Sequence, residues 1–303
     1  MNNMIMSMVA QTSIHAGSGQ ALSVIDLPIQ REGHTQHPVI FGSSLKGALR
    51  YRASQVMATS HDEESEDKVD KNLFFAAFGP DTEGAQDNAH AGAIMVSDAR
   101  LLLLPIRSLN GYFKWVTCPA LLRRYDNDRD RAGLDKLSLE IESFKDDEVL
   151  VALANESTLF LEEFALTPKA AEIMDKWIEV LAQDTQLPEQ VLTEQLVVVT
   201  DDMFSFLAQN ATQVNAHIAL DENKTVKKGA LWYEETLPPE TVMYSLIMCT
   251  NSRRSDTTMS SAEMAQVLTE QVLPESNRYL QVGGNETVGM GWFQVSFISS
   301  NQD

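Results

Sequence analysis

The sequence predicts an α+β fold, with strands and helices mixed and without the steady alternation that builds a doubly wound parallel sheet. Three observations carry that expectation. Apolar, β-branched runs of strand length occupy 242–250 and 292–298; apolar residues recur at helical spacing from Leu45 to Met57; and two strand-like runs flank a polar turn at 221–225.

Along the chain, Met4 to Ile14 mixes apolar and small polar residues and is expected to form the opening strand. His15-Ala16-Gly17-Ser18-Gly19 follows, with glycines that permit a tight loop. In the segment Phe41 to Arg50, Ser43 or Ser44 is the expected N-cap of a helix carrying Leu45, Ala48, Leu49, Ala53, Val56 and Met57 on its apolar side. Lys46 and Arg50, four apart, share another side of that helix. Gly92 to Ile106 reads as one long strand, and Thr167-Pro168 as the start of a helix through Ile173, Trp177 and Leu181, with proline in its first turn. Val214 to Leu220 and Gly229 to Thr236 are expected to pair as a hairpin around Asp221 to Thr225. A strand from Val242 to Thr250, a helix from Ala262 to Leu273, and strands Arg278 to Val282 and Trp292 to Ile298 around a glycine-rich loop complete the pattern.

The 303 residues, 44% hydrophobic and 22% charged, suffice for one elaborated domain or two small ones. Two distant cysteines, Cys118 and Cys249, form no C-x-x-C, so neither a disulfide framework nor a zinc site is expected, and a reducing cytoplasm is the expected setting. No basic leader and no apolar run of about 18 residues occurs, so neither export nor membrane insertion is expected. The formal net charge of -20 argues at face value against nucleic acid, whose phosphates draw on cations. Its distribution qualifies that. Between Glu32 and Asp62 there is no acidic residue, and Lys46, Arg50 and Arg52 fall inside; between Asp98 and Asp126 the same holds, with Arg100, Arg107, Lys114, Arg123 and Arg124 inside. Much acid is concentrated in Asp62 to Asp67, expected to be a solvated insert.

Generic chemical motifs are absent. Gly42 to Gly47 has the spacing of a phosphate-binding loop, but Ala48 and Leu49 stand where lysine and a hydroxyl residue are required. Asp126, Asp128 and Asp130 open like a calcium loop, yet Arg131 and Leu137 occupy its glycine and glutamate positions, and an exposed loop is expected instead. His34 and His37 lack an evident third ligand. No nucleophile elbow or dinucleotide fingerprint supports a metabolic enzyme.

Three segments together resemble one family: D-L-P-I-Q-R-E from Asp26 to Glu32, G-S-S-L-K-G-A-L-R from Gly42 to Arg50, and V-G-G-N-E-T-V-G from Val282 to Gly289. They resemble the RAMP superfamily, and specifically the backbone subunit of the type III-B, or Cmr, CRISPR effector; Gly92 to Leu109 and Gly229 to Glu235 lie in the order that family shows. The resemblance implies an RRM-like (ferredoxin-like) palm with helical insertions and a β-hairpin thumb. The palm would span mainly 1–57, 90–115 and 240–303, the insertions 58–89 and 116–195, and the thumb about 196–238. It implies a cytoplasmic subunit that binds guide CRISPR RNA and complementary single-stranded target RNA, lines up with further copies of itself in a filament, and joins other Cmr subunits, with no membrane partner.

The resemblance also assigns residues. Asp26 matches the aspartate the family uses for cleavage of target RNA with a divalent cation, Mg2+ or Mn2+, a metal site that one carboxylate cannot complete without RNA. Chemistry alone favours reading Asp26 as a turn aspartate that bonds its own backbone before Pro28. His15 and Glu234 are auxiliary candidates. RNA contacts are expected at Gly17, Gly42, Ser43, Ser44, Lys46 and Arg50, where a helix N-terminus and cations would meet phosphate, and at Gly283 and Gly284, where the RNA backbone would approach closely. Lys227 and Lys228, with Lys224, lie near the hairpin tip, where they meet phosphate or simply solubilise the turn. The alternative is a non-catalytic subunit that only holds guide and target.

Overall fold

The structure is a computed structural model that describes residues 1–21, 24–59, 71–80, 90–254 and 258–300; the acidic run 62–67 lies outside them, as does most of the first expected insertion. The elements run β1 (Asn2–Ala10), β2 (Val39–Ile40), α1 (Gly42–Thr59), α2 (Lys71–Phe78), β3 (Ile94–Val96), β4 (Ala99–Arg107), β5 (Phe113–Thr117), α3 (Pro119–Arg131), β6 (Glu148–Val151), β7 (Leu159–Leu161), β8 (Phe164–Ala170), α4 (Ile173–Thr185), α5 (Glu189–Gln195), β9 (Leu196–Val198), α6 (Asp201–Asn210), β10 (Gln213–Leu220), β11 (Val226–Thr236), β12 (Val242–Cys249), α7 (Ser261–Gln266), β13 (Tyr279–Gln281) and β14 (Trp292–Ile298). Twelve strands form one mixed sheet in the order β13-β14-β1-β12-β4-β5-β9-β6-β8-β7, with β2 and β3 attached to β4 and β12; β10 and β11 pair separately as a hairpin. The α+β expectation holds.

The sheet is covered on both faces, and β1 shows why its sequence does not alternate. It pairs antiparallel with β12, Asn2 opposite Cys249 through Val9 opposite Val242, and with β14 on its other side. Met4, Met6, Met8 and Ala10 pack with Leu45 and Leu49 of α1, whereas Ile5 and Val9 pack with Tyr125 of α3 and Trp177 of α4. A strand with two buried faces needs apolar residues at successive positions. It ends at Ala10; Ile14 makes only an isolated bridge to Leu237.

Four expectations are corrected. Gly92 to Ile106 is two strands, β3 and β4, both paired to β12, with Ser97 between them bonding Leu246 through its amide and its hydroxyl. Thr167-Pro168 lies in β8, and the helix starts at Ile173. The Thr167 and Ala171 amides donate to Asp147 and Val151, so the missing N–H of Pro168 faces the other side, where β7 pairs only as far as Leu166. Proline costs no ladder bond there. Asp126, Asp128 and Asp130 belong to α3 rather than an exposed loop, and Asp126 and Asp128 are buried. The Asp126 carboxylate accepts the Leu137 and Ser138 amides, and Asp128 accepts from Arg100, Arg131 and Tyr244. Finally, the helix expected over Ala262 to Leu273 is α-helical only to Gln266 and continues as a π turn over Val267–Val272. The wider turn brings Val267, Leu268, Val272 and Leu273 all into the core.

The hairpin forms as expected. Asp221 nucleates its turn, accepting the Asn223 and Thr225 amides and the Thr225 hydroxyl. Within the stretch 196–238, Leu196–Val198 is part of the main sheet, parallel to β5, and the separate ribbon begins at Gln213.

Candidate RNA-binding and catalytic site

The segment Asp26 to Gln30 is laid between the first glycine loop and the base of the hairpin. Leu27 donates its amide to Tyr233 and accepts from the Glu235 amide; Ser18 donates to Pro28, and Gln30 donates to Ala16. Asp26, partly buried, therefore sits on a tethered segment rather than a free loop. Its Oδ2 accepts the Tyr233 amide at 2.8 Å. Among the described residues its Oδ1 has no partner, so one carboxylate oxygen is held and the other is left for a ligand.

His15 and Glu234 do come together, but as buried ties. Nδ1 of His15 lies 2.8 Å from the Glu235 carbonyl, an acceptor only, which assigns the proton to Nδ1, and 3.6 Å from the Glu234 carboxylate. Glu234, also buried, accepts from the Asn285 amide and so links hairpin to glycine loop. Neither bonds Asp26 among the described residues.

The strongest anchor was not anticipated from the sequence. Glu235, 2% exposed, accepts from Arg31, from the Thr212 hydroxyl at 2.6 Å and from the Ile29 amide at 3.1 Å. Arg31 also donates to the carbonyls of Gln36 and Ala208. Gln30 donates to Gly17 and Ser44 and accepts from the Phe41 amide, joining the glycine loop to the start of α1. The signal was two consecutive glutamates at a strand end: residues on opposite faces of a strand whose both faces are covered must each find a partner.

Several glycines expected to admit RNA are required by the protein's own packing. A Cβ at Gly17 would lie 2.7 Å from His15 Nε2, at Gly42 2.6 Å from the Val96 carbonyl, and at Gly283 2.4 Å from the His15 carbonyl. Gly283 also has φ +95, whereas a Cβ at Gly284 would make only ordinary contact with the His15 ring. Gly283→Ala should thus destabilise the fold by about 2 kcal/mol or more, combining left-handed strain with a backbone clash, and Gly284→Ala by much less. Urea unfolding of the two variants checks this; equal midpoints would refute it.

The helix start also differs from expectation. α1 begins at Gly42, ahead of both serines, and the Gly42 amide donates to Asp98 Oδ1 at 2.7 Å. A carboxylate of the chain occupies the donor that a phosphate was expected to use. Ser43 and Ser44 are exposed in the first turn. Lys46 donates to the Ile94 carbonyl at 3.0 Å, and Arg50 donates to Gly79 at 2.7 Å while lying over the Phe74 ring. Burial, with Arg50 and Arg253 nearby, holds the Lys46 ammonium below its ordinary value. Arg253, which rests against Met95, brings a third cation from the far end of the chain; the adjacent Arg253-Arg254 pair was its only trace in the sequence.

On the hairpin, Lys227 and Lys228 are exposed. Val214, Ile218, Leu231 and Tyr233, 42–55% exposed, share one face, and His217 stacks on Trp232 on the other at 5.5 Å.

Glu32 completes the segment by binding Arg124 and Thr35. Burial pushes its carboxyl up, but the hydrogen bonds from Thr35 and Arg124 and the arginine's charge outweigh that and lower it from 4.5. A carboxyl depressed in the folded state stabilises above its unfolded value and loses that contribution as pH falls through the folded one. Arg124→Met should cost about 1–2 kcal/mol at pH 7. The gap from the native protein should narrow as pH drops below about 4.5, and denaturant midpoints at pH 7 and pH 3.5 measure it; a constant gap would refute it.

No group of three His, Cys, Asp or Glu that could hold a metal occurs among the described residues, and no helix there is long and apolar enough to cross a membrane.

Comparison with known proteins places the chain in a family. The RAMP superfamily model matches residues 8–294. A CRISPR system Cmr endoribonuclease, Cmr4, of Pyrococcus furiosus is 38% identical over 296 residues, covering 94% of this chain and 92% of its own. The crystal structure of oligomeric Cmr4 from Pyrococcus furiosus superposes with a TM-score of 0.72 at 30% identity, covering 98% of both chains. A chain of a type III-B Cmr-beta complex bound to cognate target RNA shares the fold, with a TM-score of 0.71 at 22% identity over 97% of this chain and 96% of that one. With segments 26–32, 42–50 and 282–289 meeting around one site, and the likeness running nearly end to end, the chain belongs to the RAMP superfamily and, within it, to the Cmr4 family.

Proposed function

We propose that this chain is a repeating backbone subunit of a type III-B CRISPR RNA-guided complex, an endoribonuclease that binds guide RNA and cleaves complementary target RNA at regular intervals through Asp26. The observation that carries the assignment to Asp26 is its carboxylate: oriented by the Tyr233 amide, unpaired at Oδ1 among the described residues, and set at the base of a hairpin with an exposed apolar face. The relatives' names, an endoribonuclease and an oligomeric subunit, support the activity and the self-assembly.

In this reading the apolar hairpin face meets nucleobases, while Lys227, Lys228 and the cluster of Lys46, Arg50 and Arg253 meet phosphates. Unstacking at the hairpin turns a ribose 2'-hydroxyl toward its adjacent phosphorus, a gain in positioning. The 2'-oxygen bonds to phosphorus, the bond to the next nucleotide's 5'-oxygen breaks, and the 2'-hydroxyl proton ends on that leaving oxygen. Fragments therefore carry a 2',3'-cyclic phosphate and a 5'-hydroxyl. Asp26 holds the reacting segment in place and would supply one ligand oxygen to a divalent cation. With one carboxylate oxygen open, the described residues alone do not make a metal site, so the fit is to a site shared with RNA, where a bound cation would neutralise charge on the phosphate oxygens. Guide RNA, neighbouring copies and other Cmr subunits are the partners, and the free, buried Cys118 and Cys249 agree with a cytoplasmic setting.

The test is cleavage of end-labelled complementary RNA by the guide-loaded complex with magnesium. Regularly spaced fragments, lost on chelation and blocked by 2'-deoxy substitution at the cut positions, are expected. Binding without any cleavage would leave a scaffold that holds guide and target.

A further inference from the structure

On the flank of α1 opposite Lys46 and Arg50, a cleft of about 140 Å³ opens between the helix and the β13–β14 edge of the sheet. Tyr51 and Arg52 line it from α1, Asn277, Tyr279 and Gln281 from the edge segment, and Trp292 from β14; Glu286 of the glycine loop is its one carboxylate. Strand geometry puts the sheet residues there. Tyr279 and Gln281 alternate with buried Leu280, and Trp292 lies opposite Gln281 and before buried Phe293, so all three point outward. Tyr51 is 57% exposed, Tyr279 45% and Trp292 37%. Large aromatic side chains gathered around one opening are an unusual use of surface. None of the three rings packs on another ring among the described residues, and Arg52 Nε is buried without a hydrogen-bond partner.

We infer that this cleft receives a single unstacked nucleobase of RNA bound to the chain, an inference that rests on the RNA-binding reading above. Size limits the occupant, because 140 Å³ is under half of what pockets for drug-sized ligands usually offer, yet ample for one planar ring system. Chemistry then selects. Tyrosine and tryptophan faces stack on bases of any sequence, and the Arg52 guanidinium and Asn277 amide present hydrogen-bonding groups for a base edge. With Glu286 present and no lysine in the lining, the cleft suits a base and not a phosphate. It is also continuous with the site: α1 carries Ser43 and Ser44, and Glu286 lies two residues after Gly284.

The test is photocrosslinking of the intact complex loaded with guide RNA containing 4-thiouridine, with adducts mapped by mass spectrometry. Adducts at Tyr51, Tyr279 or Trp292 are expected. Tyr279→Ala with Trp292→Ala should weaken RNA binding roughly 10- to 100-fold while leaving its salt dependence unchanged, since no phosphate contact is lost, and Tyr279→Phe with Trp292→Phe should restore it. RNA bound normally by the Ala variant with adducts only elsewhere overturns the inference and spares the RNA-binding reading; RNA binding kept with self-association lost reassigns the cleft to contacts between copies. A native chain that binds no RNA overturns both.

Discussion

Asp26→Asn should abolish target cleavage, lowering its rate by at least about 100-fold, while guide-loaded complexes assemble and bind target as before. The substitution is nearly isosteric. Its amide oxygen can still accept the Tyr233 amide, so the segment 26–30 stays attached to the hairpin base and only the negative charge is lost. A charge-dependent role, toward a cation shared with RNA phosphate, disappears; a turn-forming role survives. Cleavage rate and target affinity measured on the same preparations separate the two. Equal rates would make Asp26 a structural residue and move the chemistry elsewhere.

Glu235→Ala is the variant with the largest expected effect on stability, a loss of about 3–5 kcal/mol. Removing a buried, fully bonded carboxylate leaves the Ile29 amide and the Thr212 hydroxyl without this acceptor and the Arg31 guanidinium with neutral acceptors but no counter-charge there. Arg31 is only 16% exposed at its side chain, so water cannot fully replace the lost partner. The denaturant midpoint reports the cost, and an unchanged midpoint would refute it. Because Glu235 also ties the segment after Asp26 to β11, cleavage should fall with it even where the variant is still folded. Asp26→Asn, by contrast, should leave the midpoint near native.

The polar anchors were hidden because each is a pairing across the chain. Glu235 meets Arg31 from 204 residues away, and His15 reaches the Glu235 carbonyl across 220. No local window contains both partners. The misplaced helix start at Thr167-Pro168 has the same origin: those residues suit a helix cap, and only the neighbouring strand β6, with the Asp147 carbonyl just before it accepting the Thr167 amide, decides for a strand.

What the sequence determined by itself was everything governed by short-range periodicity and chain stereochemistry: the repeat of Leu45, Leu49 and Ala53 that makes α1, the Asp221 turn that makes the hairpin, the apolar run of β12, and the three segments that carry the family likeness. Tertiary structure decided what those segments do to one another. It filled the helix start with Asp98, tethered Asp26 while leaving one oxygen open, and gave Gly17, Gly42 and Gly283 packing reasons of their own. The physical reason is that a buried polar group or a missing Cβ acquires its meaning from the atoms packed against it, and in this chain those atoms come from distant parts of the sequence.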